Sequence, residues 1–172
     1  MKITKKLLDL NYQRALALSG TKPVKLILEP EDPENMSMMW TWEDTEIHIR
    51  PIFTAKVYGT HTMMAKREGY EYLTLDKFLQ WKFLHETNHI NTYKKFGRVY
   101  GEDVKTADDW LTGVYVEERN ATLYADKFIP NYNLKEHTLA NYSKTNADIK
   151  DSEKYLDRTL LEELSNILDD LI

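Results

Sequence analysis

The segment L-D-K-F-L-Q-W-K-F-L-H-E-T-N-H-I-N-T-Y-K-K-F, residues 75–96, decides how the rest of the chain must fold. Its apolar residues recur at helical spacing, Gly97 stops the run, and Lys94 and Lys95 sit where a helix C-terminus favours cations. The apolar face reads Phe78, Trp81, His85, His89, Tyr93 and Phe96, so the spacing predicts a core helix that carries two imidazoles inward. Two histidines on such a face need a partner. They belong to the word His85-Glu86-Thr87-Asn88-His89, an H-E-x-x-H. Residues four apart share a helix face, so both rings can aim at one ion, while Glu86, one step round, can reach a metal-bound water without ligating. With five His and fifteen Glu in 172 residues, about 1% of shuffled chains would contain the word. The plainer alternative is a pair of hydrogen-bonded core histidines beside a surface glutamate.

A catalytic zinc site keeps three protein ligands and one open position, so a third donor must come from elsewhere. The extended metzincin form, H-E-x-x-H-x-x-G-x-x-H, is excluded because Thr92 and Lys95 stand where its Gly and His would be. A second helix is expected over 107–129, started by Thr106 and Asp109 as a capping box and ended by Pro130. Its apolar face comprises Trp110, Leu111, Val114, Ala121, Ala125 and Phe128, which puts Glu117 and Glu118 on the two flanks almost equally. Spacing does not choose between them.

The segment E-R-N-A-T-L-Y-A-D-K-F-I-P, residues 118–130, resembles the E-x-x-A-N-x-F-A…L-L-x-P signature that follows H-E-x-x-H in the ImmA/IrrE family of zinc metallopeptidases. Glu118, Ala121, Tyr124, Ala125, Phe128, Ile129 and Pro130 match in order, the proline one residue early, whereas Thr122 replaces the usual Asn. The motifs cover residues 75–130, and the N-terminal part agrees only in general layout. The resemblance implies a gluzincin-like site with one zinc ion, His85, His89 and Glu118 as metal ligands and Glu86 as general base. It leaves Glu117 beside the ligands, and Asp108, Asp109 and Glu117 as the nearest candidates to accept the spare imidazole N–H groups. Two imidazoles and one carboxylate in an open tetrahedral site themselves favour zinc.

Working outward, residues 3–18 place Ile3, Leu7, Leu8, Ala15 and Leu16 at helical spacing before Gly20 and Pro23. A short strand is expected over 24–28, then a hairpin in which M-S-M-M-W-T-W and T-E-I-H-I-R-P alternate around Glu43 and Asp44. Met38, Trp40 and Trp42 would share one face, and Ile47 and Ile49 would oppose Glu46, His48 and Arg50. Because those last three are polar, T-E-I-H-I-R-P is the expected edge strand, able to pair with an extended substrate. Residues 52–57 read as a further strand, 59–69 as an irregular connection and 131–148 as a loop. A final helix over 150–172 stacks Leu156, Leu160, Leu164, Ile167 and Leu171 to cover the core. The fold expected is α+β over residues 1–172 as a single zincin-like domain, with a short antiparallel or mixed sheet and hairpin packed on the H-E-x-x-H helix, a glutamate-bearing second helix and a C-terminal helix.

Composition limits the alternatives. No cysteine means no disulfide framework or cysteine metal cage. Residues 148–172 hold eight acids and three bases, which is the whole net charge of −5, and no segment is basic enough to suggest direct nucleic-acid binding. No run of about 18 apolar residues exists for a membrane span. Asp9, Asn11, Gln13 and Arg14 interrupt the N-terminal apolar stretch, so no secretory signal is read there and a cytoplasmic location is expected, in a host cell if the chain is phage-encoded. His48 could assist at an oxyanion, though an exposed strand histidine is the plainer reading; His61 and His137 read as surface residues. Tyr100 and Tyr115 are oxyanion candidates on sequence proximity alone. The chemistry expected is peptide hydrolysis without a covalent intermediate, on a narrow intracellular protein substrate that the family resemblance suggests is a transcriptional repressor. The alternative is a non-catalytic zinc-containing interaction or phage structural module, against which the preserved Glu86 argues.

Overall fold

A computed structural model describes residues 2–33, 37–42, 45–96 and 107–143, without the side chains of residues 96, 107–116, 137 and 139–143. In chain order it contains α1 (Lys5–Ser19), β1 (Lys25–Leu28), β2 (Met39–Trp42), β3 (Glu46–Ile49), α2 (Pro51–Glu68), α3 (Leu75–Phe96), α4 (Ala107–Phe128) and α5 (Tyr132–Ser143). The architecture is mixed α+β, mostly helical, with one small mixed sheet. None of the described helices is long and apolar enough to cross a membrane. The helix expected over 150–172 and the capping residue Thr106 lie outside the described residues.

Helix α3 is the hub. Phe78, Leu79, Trp81, Phe83 and Leu84 are fully buried, and α1, α4 and β2 all pack on it. Helix α1 begins where Thr4 Oγ1 accepts the Leu7 N–H at 3.3 Å and ends at Gly20, whose φ of 67° closes the left-handed cap that glycine adopts without strain. Its buried face is pinned to α3 by a polar clasp: Gln80 Nε2 donates to Asn11 Oδ1 at 2.8 Å, while Asn11 Nδ2 donates to Leu7 O and Asp76 Oδ1. Tyr12 packs on Phe83 beside it.

The strands run in the order β1-β3-β2, with β1 parallel and β2 antiparallel to β3. T-E-I-H-I-R-P is therefore the central strand and not the expected edge. Its alternation reports that one face meets the core and the other does not, which is silent about neighbours on either side. Ile47, Ile49 and Met39 fill the core face. On the other face Trp40 lies opposite His48, and Trp42 opposite Glu46. Arg50, expected to point outward, is buried: Nε donates to Pro30 O at 3.1 Å, Nη1 to Ser37 O at 3.0 Å, and the guanidinium lies 4.5 Å from the Trp40 ring centroid. It holds the loop between β1 and β2 against the start of α2.

Two further expectations fail. Residues 51–68 form one helix and not a strand with an irregular connection, because Pro51 sits at its first turn, Lys66 and Arg67 in its last, and Gly69 at φ 75° closes it. Residues 132–143 form α5 where a loop was expected, because Asn131 Oδ1 accepts the Leu134 N–H at 2.9 Å and caps the helix.

The α1–α3 clasp predicts that Asn11→Ala, which strands the buried Gln80 amide, lowers unfolding free energy by about 1–3 kcal/mol. Urea titration followed by circular dichroism reads this as a lower midpoint at unchanged slope; an unaltered midpoint would remove the clasp as a source of stability.

Candidate metal centre

The inward face of α3 carries His85, Glu86 and His89 in the middle of the molecule, with Glu86 only 6% exposed. Helix α4 approaches this face closely because Ala121 and Ala125, one turn apart and fully buried, offer only methyl groups to the contact. That brings Glu118, one turn earlier, over the imidazoles. Glu118 Oε2 lies 3.0 Å from His85 Nε2, Glu118 Oε1 lies 3.5 Å from His89 Nε2, and the two Nε2 atoms are 3.2 Å apart. One donor atom from each of His85, His89 and Glu118 lies within 4.8 Å of the others, a set that could hold a metal ion. These contacts can be bridged by shared protons or by one cation, since each atom offers a lone pair when unprotonated.

The outer nitrogens are also accounted for. His85 Nδ1 faces Thr122 Oγ1 at 3.5 Å, and His89 Nδ1 faces Glu117 Oε2 at 3.9 Å. A proton on His85 Nδ1 would face Thr122 Oγ1, whereas the Glu117 carboxylate stands near His89 Nδ1 beyond hydrogen-bond distance. Glu117 and Glu118 thus serve the two imidazoles from neighbouring positions of α4. Thr122 was not foreseen in this role; its only signal was that it departed from the family's Asn. Asp108, Asp109 and Tyr115 have side chains outside the described residues, as do Tyr100 and His137.

The electrostatics follow from burial. Both imidazoles are pushed down from their ordinary range, first by loss of solvent, with Glu118 pulling the other way. They are held neutral, as a metal requires of its ligands. Glu86 is pushed up to about 8, again mainly by burial and then by the Glu118 carboxylate, with Lys82 opposing. Lys82 is itself pushed down by burial and held up by Glu86 and Glu118.

Among the described residues, His48 and His61 are not part of this cluster. His48 stacks on Trp40 and has both ring nitrogens beside carboxylates, Nδ1 at 2.7 Å from Glu29 Oε1 and Nε2 at 3.1 Å from Glu46 Oε2. It is tied into the sheet face and is not a free surface group. His61, expected at the surface, is half-buried and stacks on Phe78.

Comparison with known proteins returns no matching family model, no matching curated protein and no matching solved structure.

Two predictions follow from this geometry. Purified protein should carry about one divalent ion per chain by plasma mass spectrometry; His85→Ala, His89→Ala and Glu118→Ala should carry essentially none. Glu117→Ala and Thr122→Val should keep the ion with about 10- to 100-fold weaker affinity. Full metal in Glu118→Ala with loss in Glu117→Ala would reassign the third ligand. Separately, the metal-free protein should show a pH signature of Glu86, whose carboxyl keeps its proton to about pH 8 when folded against an ordinary value of 4.5. The folded state then binds the extra proton across that window, so this group lowers stability as pH rises through it. Metal-free Glu86→Gln should match wild type near pH 4.5 and exceed it by a few kcal/mol, in order of magnitude, at pH 8. Parallel curves in chemical denaturation would show that Glu86 is not desolvated.

Proposed function

We propose that this chain is a zincin-like, zinc-dependent peptidase, in which His85, His89 and Glu118 hold the metal and Glu86 moves the proton of the attacking water. The observation that carries this is the spacing of the donor atoms. Donor atoms about 2.0–2.1 Å from a tetrahedral zinc ion stand about 3.3–3.4 Å apart; the two Nε2 atoms are 3.2 Å apart, and the Glu118 carboxylate reaches the first with Oε2 at 3.0 Å and the second with Oε1 at 3.5 Å. Three ligands, two neutral imidazoles and a carboxylate, match the composition of sites that keep a fourth position for chemistry.

A bound zinc ion supplies Lewis-acid polarisation of a peptide carbonyl and acidifies water toward neutral pH. Glu86 follows His85 directly in the chain, and its buried carboxyl holds or releases a proton near neutrality. Its proton affinity is set first by burial and then by Glu118, and a cation held by the three ligands would offset the second of these and favour the base form. Having taken a proton, the same carboxyl can deliver it to the leaving amine. Thr122 and Glu117 orient the imidazoles from behind. A base that costs this much to bury has no use in a purely structural site, which is what favours catalysis over an interaction module.

The substrate class we infer is a specific intracellular protein, with a transcriptional repressor as the first candidate and the cytoplasm as its setting. The repressor rests on the likeness of residues 75–130 to the ImmA/IrrE family. Central placement of β3 moves any strand-like substrate pairing to the sheet edges, β1 or β2.

Cleavage of a candidate repressor, followed by mass spectrometry of the fragments, should fall by at least about 100-fold in Glu86→Gln at unchanged zinc content. Equal effects of the wild type and Glu86→Gln on repressor function, without fragments, would replace the peptidase with a binding module.

A further inference from the structure

A cavity of about 810 Å³ lies between α2, α3 and α5, within the size range of small-ligand sites. Its walls are apolar, with Phe53 and Val57 from α2, Phe78 from α3 and Leu134 from α5. Met64 and Tyr132, which also line it, stand exposed to water. Large apolar side chains held in solvent at the mouth of an apolar cavity are the mark of a surface that awaits a ligand.

The charged residues of the lining are distributed unevenly. Lys56, Glu68 and Glu136 are exposed, whereas Lys82 is recessed. Lys82 is also where the cavity meets the metal centre. It stands one helical turn before Glu86, its Nζ lies 4.9 Å from the Trp81 ring centroid, and Trp81 stacks on His85. Among the described residues no carboxylate lies within ion-pair distance of it, and the charges that act on it at longer range are Glu86 and Glu118. Lys82 is half-buried, and its ammonium has three N–H groups to satisfy and a charge to balance. The two carboxylates that also line the cavity, Glu68 and Glu136, are exposed and make no ion pair with it. An anionic group on a ligand in this cavity would meet Lys82 as its counter-charge.

The geometry points to this cavity as a peptide-binding subsite that takes an apolar group bearing a carboxylate, with Lys82 as the residue that reads the carboxylate. On the peptidase reading, on which this position rests, the group belongs to a residue flanking the scissile bond. A peptide offers such a carboxylate in two ways, as an Asp or Glu side chain or as a free chain terminus. Charge-assisted hydrogen bonds in a partly dry site are strong enough to dominate selectivity.

The test uses phenylbutyrate and phenylbutanamide, which have the same shape and cannot be cleaved. Each is titrated by calorimetry into the full chain, with metal content measured on the same sample. Wild type should bind the carboxylate about tenfold more tightly than the amide. Lys82→Met should erase the preference while amide affinity stays within about twofold, and Lys82→Arg should retain it. No preference in the wild type, or one that survives Lys82→Met because the carboxylate seeks the metal, would overturn the assignment. A Lys82-dependent preference in protein without bound metal keeps the subsite and removes the zinc reading; bound metal with no preference does the reverse. Displacement of phenylbutyrate by N-acetyl-leucyl-glutamic amide but not by its glutamine analogue assigns the side-chain source. Displacement by N-acetyl-leucyl-phenylalanine but not by its amide assigns the chain terminus, and displacement by none of the four overturns the peptide assignment.

Discussion

The packing of this molecule is organised around the burial of three polar side chains on one helix. His85, Glu86 and His89 occupy the inward face of α3, where Trp81, Phe83 and Leu84 are wholly excluded from water. Polar groups in such surroundings cost several kcal/mol unless something answers them. Helix α4 answers, bringing Glu118 to the Nε2 atoms and Glu117 and Thr122 to the opposite ring nitrogens. That service demands a close and fixed approach of two helices, which is why α4 turns alanines toward α3 at positions 121 and 125. The remaining elements keep α3 dry from the other sides: α1 through the Asn11–Gln80 clasp, the sheet through Met39, Ile47 and Ile49, and α2 through Tyr58 against Phe78.

The two kinds of pKa shift at the centre have opposite chemical meaning. Burial drives the imidazoles toward the neutral form, which is the form that ligates, so they are prepared before any ion arrives. Burial drives Glu86 toward the protonated form, which is the wrong one for a base. A positive charge held by His85, His89 and Glu118 would oppose the second shift by offsetting the Glu118 carboxylate, the smaller of its two causes. On the peptidase reading, the proton affinity of Glu86 would then depend on the occupancy of the site.

Helix α3 was legible in the sequence because its periodicity is long, its C-terminal cations are in place and its H-E-x-x-H word is rare by composition. The choice between Glu117 and Glu118 was not, since both flank the apolar stripe; the family likeness favoured Glu118, and both turn out to face an imidazole, Glu117 the outer nitrogen of His89. Helix α2 was misread because Ile52, Thr54, Val57, Thr60 and Thr62 imitate a strand and Gly59 interrupts the pattern, although Pro51 and Gly69 marked both ends. The start of α5 hinged on one asparagine cap among polar neighbours. Alternation in β3 fixed which side chains face the core but could not reveal a parallel neighbour arriving from residues 25–28. What escaped the sequence were relations between distant segments, along with Thr122, which matters only through a ring 37 positions away.

Placing Lys82 and Glu86 on the same helix has a geometric consequence. Residues four apart are separated by about 6 Å along the axis and lie on one face, so the distance between a carboxylate held at Lys82 and a proton held at Glu86 is set by helix pitch and not by loop conformation. Consecutive Cα atoms in an extended peptide are 3.8 Å apart. A ligand anchored at Lys82 would therefore present a backbone bond one or two residues along the chain to Glu86. Selection and proton transfer would then be built into one rigid element, whose buried aromatic, Trp81, touches both the ammonium and the first imidazole.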